Sequence, residues 1–258
     1  MTADFSFLAI ALAIMASWEW VAPRRQPDAQ LRLRWLSNIV IWVAGLVAVY
    51  GAGALLGISV ATFGTQHTIG LFNIVRVPFA LACVISVLAL DFGKYLEHRV
   101  MHRVPLLWRI HRMHHTDVDF DITVGFRFHP IEALISAAWS VSLIILLGAP
   151  ATAVVVWHAA LLVNAAFAHG NVRMPGALDG VIRLITVTPD MHRVHHSIDE
   201  RESGQNLGSL LPWWDRLLGT YVAAPAAGLD TMQTGVEGFR DPKHLQLHWM
   251  LAHPFLRQ

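Results

Sequence analysis

Charged residues and cysteine are both scarce in this sequence. Asp, Glu, Lys and Arg make up 14% of the 258 residues, whereas soluble domains carry about 25%. The formal net charge is +1, so no global field attracts nucleic acid, and we expect no nucleic-acid partner. The one cysteine, Cys83, lies in an apolar run. This excludes a disulfide framework and a cysteine-based zinc or iron–sulfur site.

Apolar residues are abundant instead, at 55% of the chain. A helical span needs about 20 mostly apolar residues, and five segments are candidates: 5–21, 35–63, 77–95, 131–147 and 151–168. The second is glycine-rich and long enough to tilt or break. Gly148-Ala149-Pro150 predicts a turn between the last two. We therefore predict an all-α membrane protein with four or five transmembrane helices, forming a single membrane-embedded domain over residues 1–258.

Basic residues predict the orientation of these spans. Only Arg76 lies between the second and third spans, whereas the loop between the first two contains Arg24, Arg25, Arg32 and Arg34. The positive-inside rule places that loop in the cytoplasm. Residues 96–130 and 169–258 then lie on the cytoplasmic side as well, and we expect residues 96–130 and 169–225 to form a helical cap there. The expected location is a bacterial inner membrane.

Three clusters of histidines fall in these two cytoplasmic segments. They comprise His98 and His102; His111, His114 and His115; and His192, His195 and His196. Asp91, Tyr95, His98 and His102 have offsets of 0, 4, 7 and 11, so they share one helix face. The other clusters repeat the pattern H-R-x-H-H, with offsets of 0, 3 and 4. Eight imidazoles exceed the four ligands of a structural zinc ion, which implies two metal ions.

The ligand type leaves the metal open, because imidazole suits iron, zinc and copper alike. The sequence contains no H-E-x-x-H, which argues against a zinc protease. It also contains no Glu-x-x-His, the carboxylate-rich motif of ferritin-like di-iron proteins. The pattern indicates a membrane metalloenzyme whose metal ions are bound mainly by histidine.

Six segments together resemble the fatty acid hydroxylase / sterol desaturase superfamily over roughly residues 85–225. They are D-F-G-K-Y-L-E-H-R-V-M-H (91–102), W-R-I-H-R-M-H-H-T-D (108–117), F-R-F-H-P-I-E (126–132), A-H-G-N (168–171), T-P-D-M-H-R-V-H-H (188–196) and W-D-R-L-L-G-T-Y (214–221). The resemblance implies an integral membrane di-iron oxygenase that uses O2 and two external electrons to hydroxylate or desaturate a lipid. The implied iron ligands are the eight clustered histidines, and His129 and His169 match further family histidines.

Further residues have predicted roles around this site. Asp91 shares the face of His98 and His102, so we expect its carboxylate to orient a ligating imidazole. His158 and Trp213 are candidate substrate contacts. A helix–helix hydrogen bond explains His158 equally well, and interfacial anchoring is the default explanation for Trp213. Asn206-Leu207-Gly208 stands where the family often has N-F-G or N-Y-G, and is a candidate contact for substrate or partner. His244 and His248 fit an amphipathic surface helix, and His67 and His253 are expected to be solvated.

Several alternatives remain open at this stage. The same di-iron site can desaturate a lipid, because the outcome depends on where the second C–H bond lies. A metal-binding or metal-transport membrane protein and a zinc-dependent hydrolase are alternatives of other classes, and zinc can replace iron during purification. The chain has no segment for a flavin, haem or ferredoxin-like cluster, so we expect a separate electron donor of the ferredoxin or cytochrome type. The lipid itself is left open.

Overall fold

The computed structural model describes residues 6–26, 31–51 and 57–256. Within these ranges the regular structure is helical, accompanied by two isolated β-bridges. Three short 3-10 helices cover Ile122–Phe126, Pro242–Leu245 and His253–Phe255. The α-helices are α1 (Ser6–Val21), α2 (Leu31–Gly51), α3 (Gly57–Gln66), α4 (Leu71–Ile74), α5 (Phe79–Arg103), α6 (Pro105–His115), α7 (Pro130–Leu147), α8 (Ala151–Ala168), α9 (Gly176–Ile182), α10 (Pro189–His195), α11 (Glu200–Ser203), α12 (Trp213–Leu218) and α13 (Leu247–Ala252).

Four helices in the described residues are long and apolar enough to cross a membrane: Leu33–Gly51 within α2, and all of α5, α7 and α8. The prediction of an all-α fold with four or five spans is confirmed, and the four helices indicate an integral membrane protein. The first predicted span corresponds to α1, which is a shorter apolar helix of 16 residues. The second ends at Gly51, and α3 begins separately at Gly57; residues 52–56 lie outside the described ranges.

The apolar core of the bundle is formed by α3, α5, α7 and α8. Leu90, Ile144, Val154 and Trp157 are among its buried side chains. Apolar contact with lipid is as favourable as contact with another apolar helix, so close van der Waals packing drives the association of spans. Gly93 permits such an approach of α5 to α7, since an added Cβ would lie 2.2 Å from Leu143 Cδ1.

The predicted turn between α7 and α8 is confirmed. Gly148 caps the carboxyl end of α7 with φ 63°, in the left-handed region that glycine adopts without a Cβ penalty. Pro150 then precedes the first residue of α8. The chain reverses direction at this short connection, so the start of α7 and the end of α8 lie at the same end of the bundle, while α3 and α5 pack against both spans.

The histidine clusters gather at that end because α5 continues beyond the apolar span. His98 and His102 lie on its last two turns. Val104 is extended and Pro105 opens α6, so the chain turns sharply there. Thr188 caps α10, its side chain accepting a hydrogen bond from Met191 N. These boundaries set the starting points of the two helices that carry the H-R-x-H-H patterns.

Ion pairs join the loop after α1 and the start of α2 to the same region. Arg24 lies 2.6 Å from Asp190, and Arg34 Nε lies 2.9 Å from Asp117. Both aspartates flank histidine clusters in the sequence. The basic loop and the histidine clusters therefore lie at the same end of the bundle, as the charge distribution predicted.

Candidate metal centre

Five histidines form the first of two groups. They come from α5 (His98 and His102), α6 (His111 and His115) and α10 (His195), and one ring nitrogen of each lies within 4.8 Å of all the others. The Nε2 atom of His111 lies 3.2 Å from those of both His98 and His115. All five side chains are buried or nearly so. The first group is therefore a compact set of imidazole nitrogens facing a common point.

The second group has four members. It contains His114, His169, His192 and His196, all of them buried, under the same 4.8 Å limit. The Nε2 atom of His169 lies 3.3 Å from that of His114 and 3.0 Å from that of His192. His169, which only the family resemblance had suggested, is thus brought into the group by its position directly after α8.

Each of the two H-R-x-H-H patterns contributes histidines to both groups. One pattern gives two histidines to the first group and one to the second, and the other pattern gives one and two. In α6, His111 and His115 face the first group and His114 faces the second. At α10, His195 belongs to the first group, whereas His192 and the capping residue His196 belong to the second. Residues at i and i+4 share a helix face, and the remaining histidine lies at an angle to them. One helical pattern therefore lets each helix serve two neighbouring groups.

The spacing of these nitrogens fits metal ions. For histidine ligands at about 2.0–2.1 Å from a metal ion, neighbouring nitrogens on that ion lie about 3.0–3.4 Å apart. The Nε2–Nε2 distances of 3.0–3.3 Å fall in this range. Three further Nε2 atoms, those of His102, His195 and His196, are buried without a hydrogen-bond partner in the described structure. Buried polar atoms normally have partners, and a cation would provide one.

Hydrogen bonds at the opposite ring nitrogen fix the tautomer of several histidines. The Nδ1 atoms of His98, His195 and His169 each lie 2.8 Å from a backbone carbonyl oxygen, belonging to Leu207, Gln205 and Ala165 respectively. A carbonyl oxygen can only accept, so each Nδ1 must carry the proton. The lone pair then lies on Nε2, which faces the group. Metal-binding histidines usually show this arrangement.

Burial keeps the rings of the cap uncharged. Desolvation, followed by the neighbouring histidines, lowers the pKa values of His114, His115, His192 and His196 well below 6.5. Desolvation also lowers the pKa of His169 to about 4 and that of His195 to about 3. At neutral pH these imidazoles are neutral, which is the form that binds a metal ion.

A carboxylate that sequence analysis missed contacts the first group. Glu132 Oε1 accepts a hydrogen bond from His111 Nδ1 at 2.7 Å, and both side chains are buried. Glu132 is on the first turn of α7 and closes the segment F-R-F-H-P-I-E. An acidic residue at the start of an apolar span is costly unless it has a role, and that signal was present in the sequence.

The segment 205–208 is a second supporting element. Asn206 has φ 50°, a left-handed conformation, and its side chain bonds to Met191 O and to the backbone of Val222. Asp215, in the segment W-D-R, accepts from Leu207 N at 2.7 Å and Gly208 N at 2.8 Å. This arrangement aims the carbonyl of Leu207 at His98. In the described structure, the backbone of Asn206-Leu207-Gly208 thus supports a histidine.

Asp91 does not have the contact predicted for it. Its carboxylate accepts from Trp214 Nε1 at 2.7 Å and from Leu211 N at 3.2 Å. It therefore connects α5 to α12 and to the segment before α12, and it accepts no hydrogen bond from a histidine ring in the described structure. Asp91 shares a helix face with His98 but lies about two turns from it, where α12 covers its carboxylate.

His129 lies outside both groups. Its Nδ1 accepts from Ile131 N at 3.1 Å, which caps α7, and its Nε2 lies 3.3 Å from the carbonyl oxygen of Leu251. The expectation from family resemblance that it joins the metal ligands does not agree with this position. Its place before Pro130 gives it the capping role that a residue at a helix start commonly has.

The two candidate substrate contacts lie away from the histidine groups. His158 is on an exposed part of α8 and packs beside Trp157, at 4.7 Å between ring centroids. Trp213 donates to the carbonyl oxygen of Leu184 at 2.7 Å and is 41% exposed. These positions fit a lipid-facing side chain and an interfacial anchor, and substrate contact by either residue stays a prediction.

The expectations for the C-terminal histidines were partly wrong. His253 is fully buried rather than solvated, and His244 is buried rather than on a surface helix. Their rings lie 5.2 Å apart between centroids. The tail covers them by packing α13 and the preceding 3-10 helix against α2, and the 3-10 helix His253–Phe255 against α6. The local spacing of the tail carried no sign of these contacts.

Comparisons with known proteins agree with this geometry. The family model for fatty acid hydroxylase matches residues 83–220. The ornithine lipid hydroxylase OlsE of Rhizobium tropici is 36% identical over 183 residues, covering 70% of this chain and 52% of that protein. The alkylglycerol monooxygenase of Xenopus tropicalis is 26% identical over 223 residues, covering 84% of this chain and 46% of that protein. The human alkylglycerol monooxygenase is 29% identical over 165 residues, covering 64% and 36% respectively.

The chain thus spans about half the length, or less, of the curated relatives it matches. A search of solved structures found no significant match. The matched residues 83–220 include every member of both histidine groups as well as Glu132 and Asp215. The chain belongs to the fatty acid hydroxylase family.

Proposed function

We propose that this chain is an integral membrane di-iron oxygenase that uses O2 to hydroxylate a lipid, acting as a single domain over residues 1–258. The main support is the pair of histidine groups at one end of a bundle of four apolar helices. The names of the relatives describe an ornithine lipid hydroxylase and alkylglycerol monooxygenases, which supports lipid oxidation.

In this proposal each histidine group holds one iron ion. The ligands are His98, His102, His111, His115 and His195 for the first ion, and His114, His169, His192 and His196 for the second. When bound, the irons supply the activation of O2 and the cleavage of an unactivated C–H bond, which side chains alone cannot achieve. We prefer iron to zinc for this reason, although zinc also suits these ligands and can occupy them after purification.

The protein's own residues prepare the site for this chemistry. The carbonyl oxygens of Leu207, Gln205 and Ala165 hold three rings with their lone pairs inward. Glu132 orients His111 from the opposite side. Burial excludes bulk water and keeps the rings neutral, so that protons do not compete with the metal ions.

The reaction needs electrons from outside. Hydroxylation converts R–H, O2, two electrons and two protons into R–OH and water, so each turnover consumes two reducing equivalents. The single cysteine of this chain cannot hold an iron–sulfur cluster. We therefore propose a separate donor of the ferredoxin or cytochrome type, which would meet the histidine-bearing end of the bundle from the cytoplasm of a bacterial cell.

The decisive experiment combines metal analysis with O2 uptake on detergent-purified protein prepared with iron under reducing conditions. We expect two irons per chain and lipid-stimulated O2 consumption, both lost in the double variant His114→Ala/His195→Ala. The matched control is His248→Ala, which changes an exposed histidine. Tightly held zinc that iron cannot replace, with no O2 consumption under any reductant, would contradict the proposal.

Hydroxylation and desaturation are separated by the products. A deuterated lipid that gains one oxygen atom and loses one deuterium indicates hydroxylation, whereas loss of two deuterium atoms without oxygen indicates desaturation. The names of the relatives favour hydroxylation. Orientation is tested separately with reporter fusions after Gln258, where a fluorescent protein should fold in the cytoplasm and a periplasmic phosphatase should be inactive.

A further inference from the structure

A cavity of about 510 Å³ lies beside the second histidine group. It is enclosed by the end of α1, the loop after it, and the segment between α6 and the 3-10 helix Ile122–Phe126. Charged side chains of both signs line it, namely Glu19, Arg25, Asp119, Asp121 and Arg193. The proposed metal ligands do not include any of these residues.

Two of the lining groups are guanidinium groups without a carboxylate partner. Arg193 is only 2% exposed, and it donates to Asn171 Oδ1 at 3.2 Å while its Nε has no partner. Arg25 donates to the carbonyl oxygens of Met232 and Leu229, and its Nε is also buried without a partner. Neither forms an ion pair within the described residues. Carboxylates lie nearby without bonding to them directly, and Arg193 stacks 4.4 Å above the ring of Phe120. Because a buried N–H without a hydrogen-bond partner is costly, an anionic ligand that accepts from these Nε atoms would stabilise this wall.

Carboxylates lie on the same cavity. Glu19 accepts from Ile122 N at 3.0 Å and Asn171 N at 2.9 Å, both through Oε2, which leaves Oε1 available to a ligand. Asp121 is occupied by Arg34 and by Trp35 Nε1. The cavity therefore combines guanidinium groups whose Nε donors lack a partner with a carboxylate oxygen that can accept from a cation. A ligand carrying both charges satisfies the two requirements at once.

The position of the cavity connects the membrane surface with the histidines. Trp20 lines it and is 80% exposed, as is the neighbouring Val21. Exposed tryptophan at the end of an apolar helix marks the interface between lipid tails and headgroups. On the inner side, the ring of Phe120 lies 5.6 Å from that of His169 and 5.2 Å from that of His196, measured between centroids. One aromatic ring thus separates the cavity from the second group.

We propose that this cavity binds the headgroup of a zwitterionic amphiphile, with its anionic group at Arg25 and Arg193 and its ammonium group at Glu19. This deepens the proposed function, on which its link to catalysis rests, by naming the headgroup class of the lipid. The apolar chain leaves the cavity past Trp20 into the bilayer. Phe120 holds the headgroup beside, and not within, the second histidine group.

The test compares amphiphiles that share one chain and differ in headgroup charge. Binding of dodecylphosphocholine, dodecyl phosphate, dodecyltrimethylammonium and dodecyl maltoside is measured by calorimetry on the full chain in amphipol, without reductant so that no turnover occurs. We expect the zwitterionic compound to bind at least about tenfold more tightly than each of the other three. Inorganic phosphate should compete only weakly, which separates a headgroup site from a free-anion site.

Charge-specific variants make the test sharper. Arg25→Gln should weaken binding of dodecyl phosphate and dodecylphosphocholine about tenfold and leave dodecyltrimethylammonium unchanged. Glu19→Gln should weaken binding of dodecyltrimethylammonium and dodecylphosphocholine and leave dodecyl phosphate unchanged. The matched controls lie outside the cavity. They are Arg216→Gln, whose guanidinium also donates to backbone carbonyls, and Glu202→Gln, a buried carboxylate that accepts from Ala226 N.

The outcomes separate this inference from the proposed function. Equal affinity for all four amphiphiles, equal competition by phosphate, or unchanged binding in both variants would overturn the headgroup site. Selective binding with no O2 consumption by iron-loaded protein would leave the headgroup site standing and count against the oxygenase. Lipid-dependent O2 consumption that does not vary with headgroup charge would support the oxygenase and count against the headgroup site.

Discussion

The imidazole of His111 and the carboxylate of Glu132 are joined by a 2.7 Å hydrogen bond between Nδ1 and Oε1. Both groups are buried, and Glu132 Oε2 has no partner in the described structure. His111 lies on α6 and Glu132 on the first turn of α7, so the bond connects the cap to a membrane span. It also places the His111 lone pair on Nε2, facing His98 and His115.

Removing this carboxylate should lower the affinity of the first histidine group for its metal ion. Partners that bond to metal-binding histidines typically account for about 10–100-fold in metal affinity, and we expect a loss of that size in Glu132→Ala. Glu132→Gln should lose less, because its amide oxygen can still accept from Nδ1. Competition with a chelator measures the affinity, with Glu202→Gln as the control. Unchanged affinity in Glu132→Ala would show that His111 needs no such support.

Single substitutions should separate the two groups. We expect His102→Ala to lower the metal content from two ions per chain to about one, because His102 belongs only to the first group. His192→Ala should have the same effect through the second group. Elemental analysis after gel filtration measures the content. Complete loss of both ions in each variant would show that the groups bind as one cooperative unit instead.

His129→Ala tests the position that the structure gives this residue. Because His129 caps α7 and lies outside both groups, we expect full metal content with stability lower by about 1 kcal/mol, the typical effect of losing a helix cap. His129→Asn should restore the cap, and hence the stability. A loss of metal ion that His129→Asn does not repair would mean that His129 is a ligand after all.

Asp215 should contribute both to the stability of the fold and to metal binding by the first histidine group. It is fully buried and accepts three hydrogen bonds, from Leu207 N, Gly208 N and Thr220 Oγ1. Hydrogen bonds to charged groups contribute about 1.5–3 kcal/mol each, so Asp215→Ala should lower the unfolding free energy by about 3 kcal/mol or more. Displacing Leu207 O from His98 should also weaken metal binding. Denaturant titration and chelator competition measure the two effects, with the exposed Glu237→Ala as the control.

His253 predicts a pH dependence outside the metal centre. Burial, aided by Arg127, His244, Arg112 and His129, lowers its pKa from 6.5 to about 3. The unfolded chain then binds a proton that the folded chain does not. The contribution of His253 to the unfolding free energy is therefore complete above pH 6.5 and is lost as the pH falls toward 3. At pH 5 the loss is about 2 kcal/mol.

Replacing His253 with phenylalanine should remove that part of the acid sensitivity. Neither ring nitrogen of His253 has a partner in the described structure, so the apolar ring should be tolerated at neutral pH. Unfolding free energies of metal-free wild type and His253→Phe at pH 8 and pH 5 give the comparison, with the exposed His248→Phe as the control. Equal pH slopes in wild type and His253→Phe would show that His253 is solvated in solution.

Much of the architecture was determined by the sequence itself. The apolar runs predicted four of the spans because a backbone in lipid must satisfy its own hydrogen bonds, which only a helix achieves within one segment. Gly148 and Pro150 predicted the turn between α7 and α8. The spacing of the histidines predicted shared helix faces, since 3.6 residues per turn is a local property.

The tertiary structure alone decided how those faces combine. Whether His114 joins His111 or His169 depends on how α6 crosses α8 and α10, which local spacing does not specify. Nothing in the sequence predicted that the carbonyls of Leu207 and Gln205 accept from histidines. Every residue carries a carbonyl, and only the fold determines which one meets an imidazole. Asp91 and His129 have suitable side chains, yet their positions in the bundle direct them to Trp214 and to the start of α7. Local periodicity thus determines which side chains point together, and the packing of helices determines which of them meet.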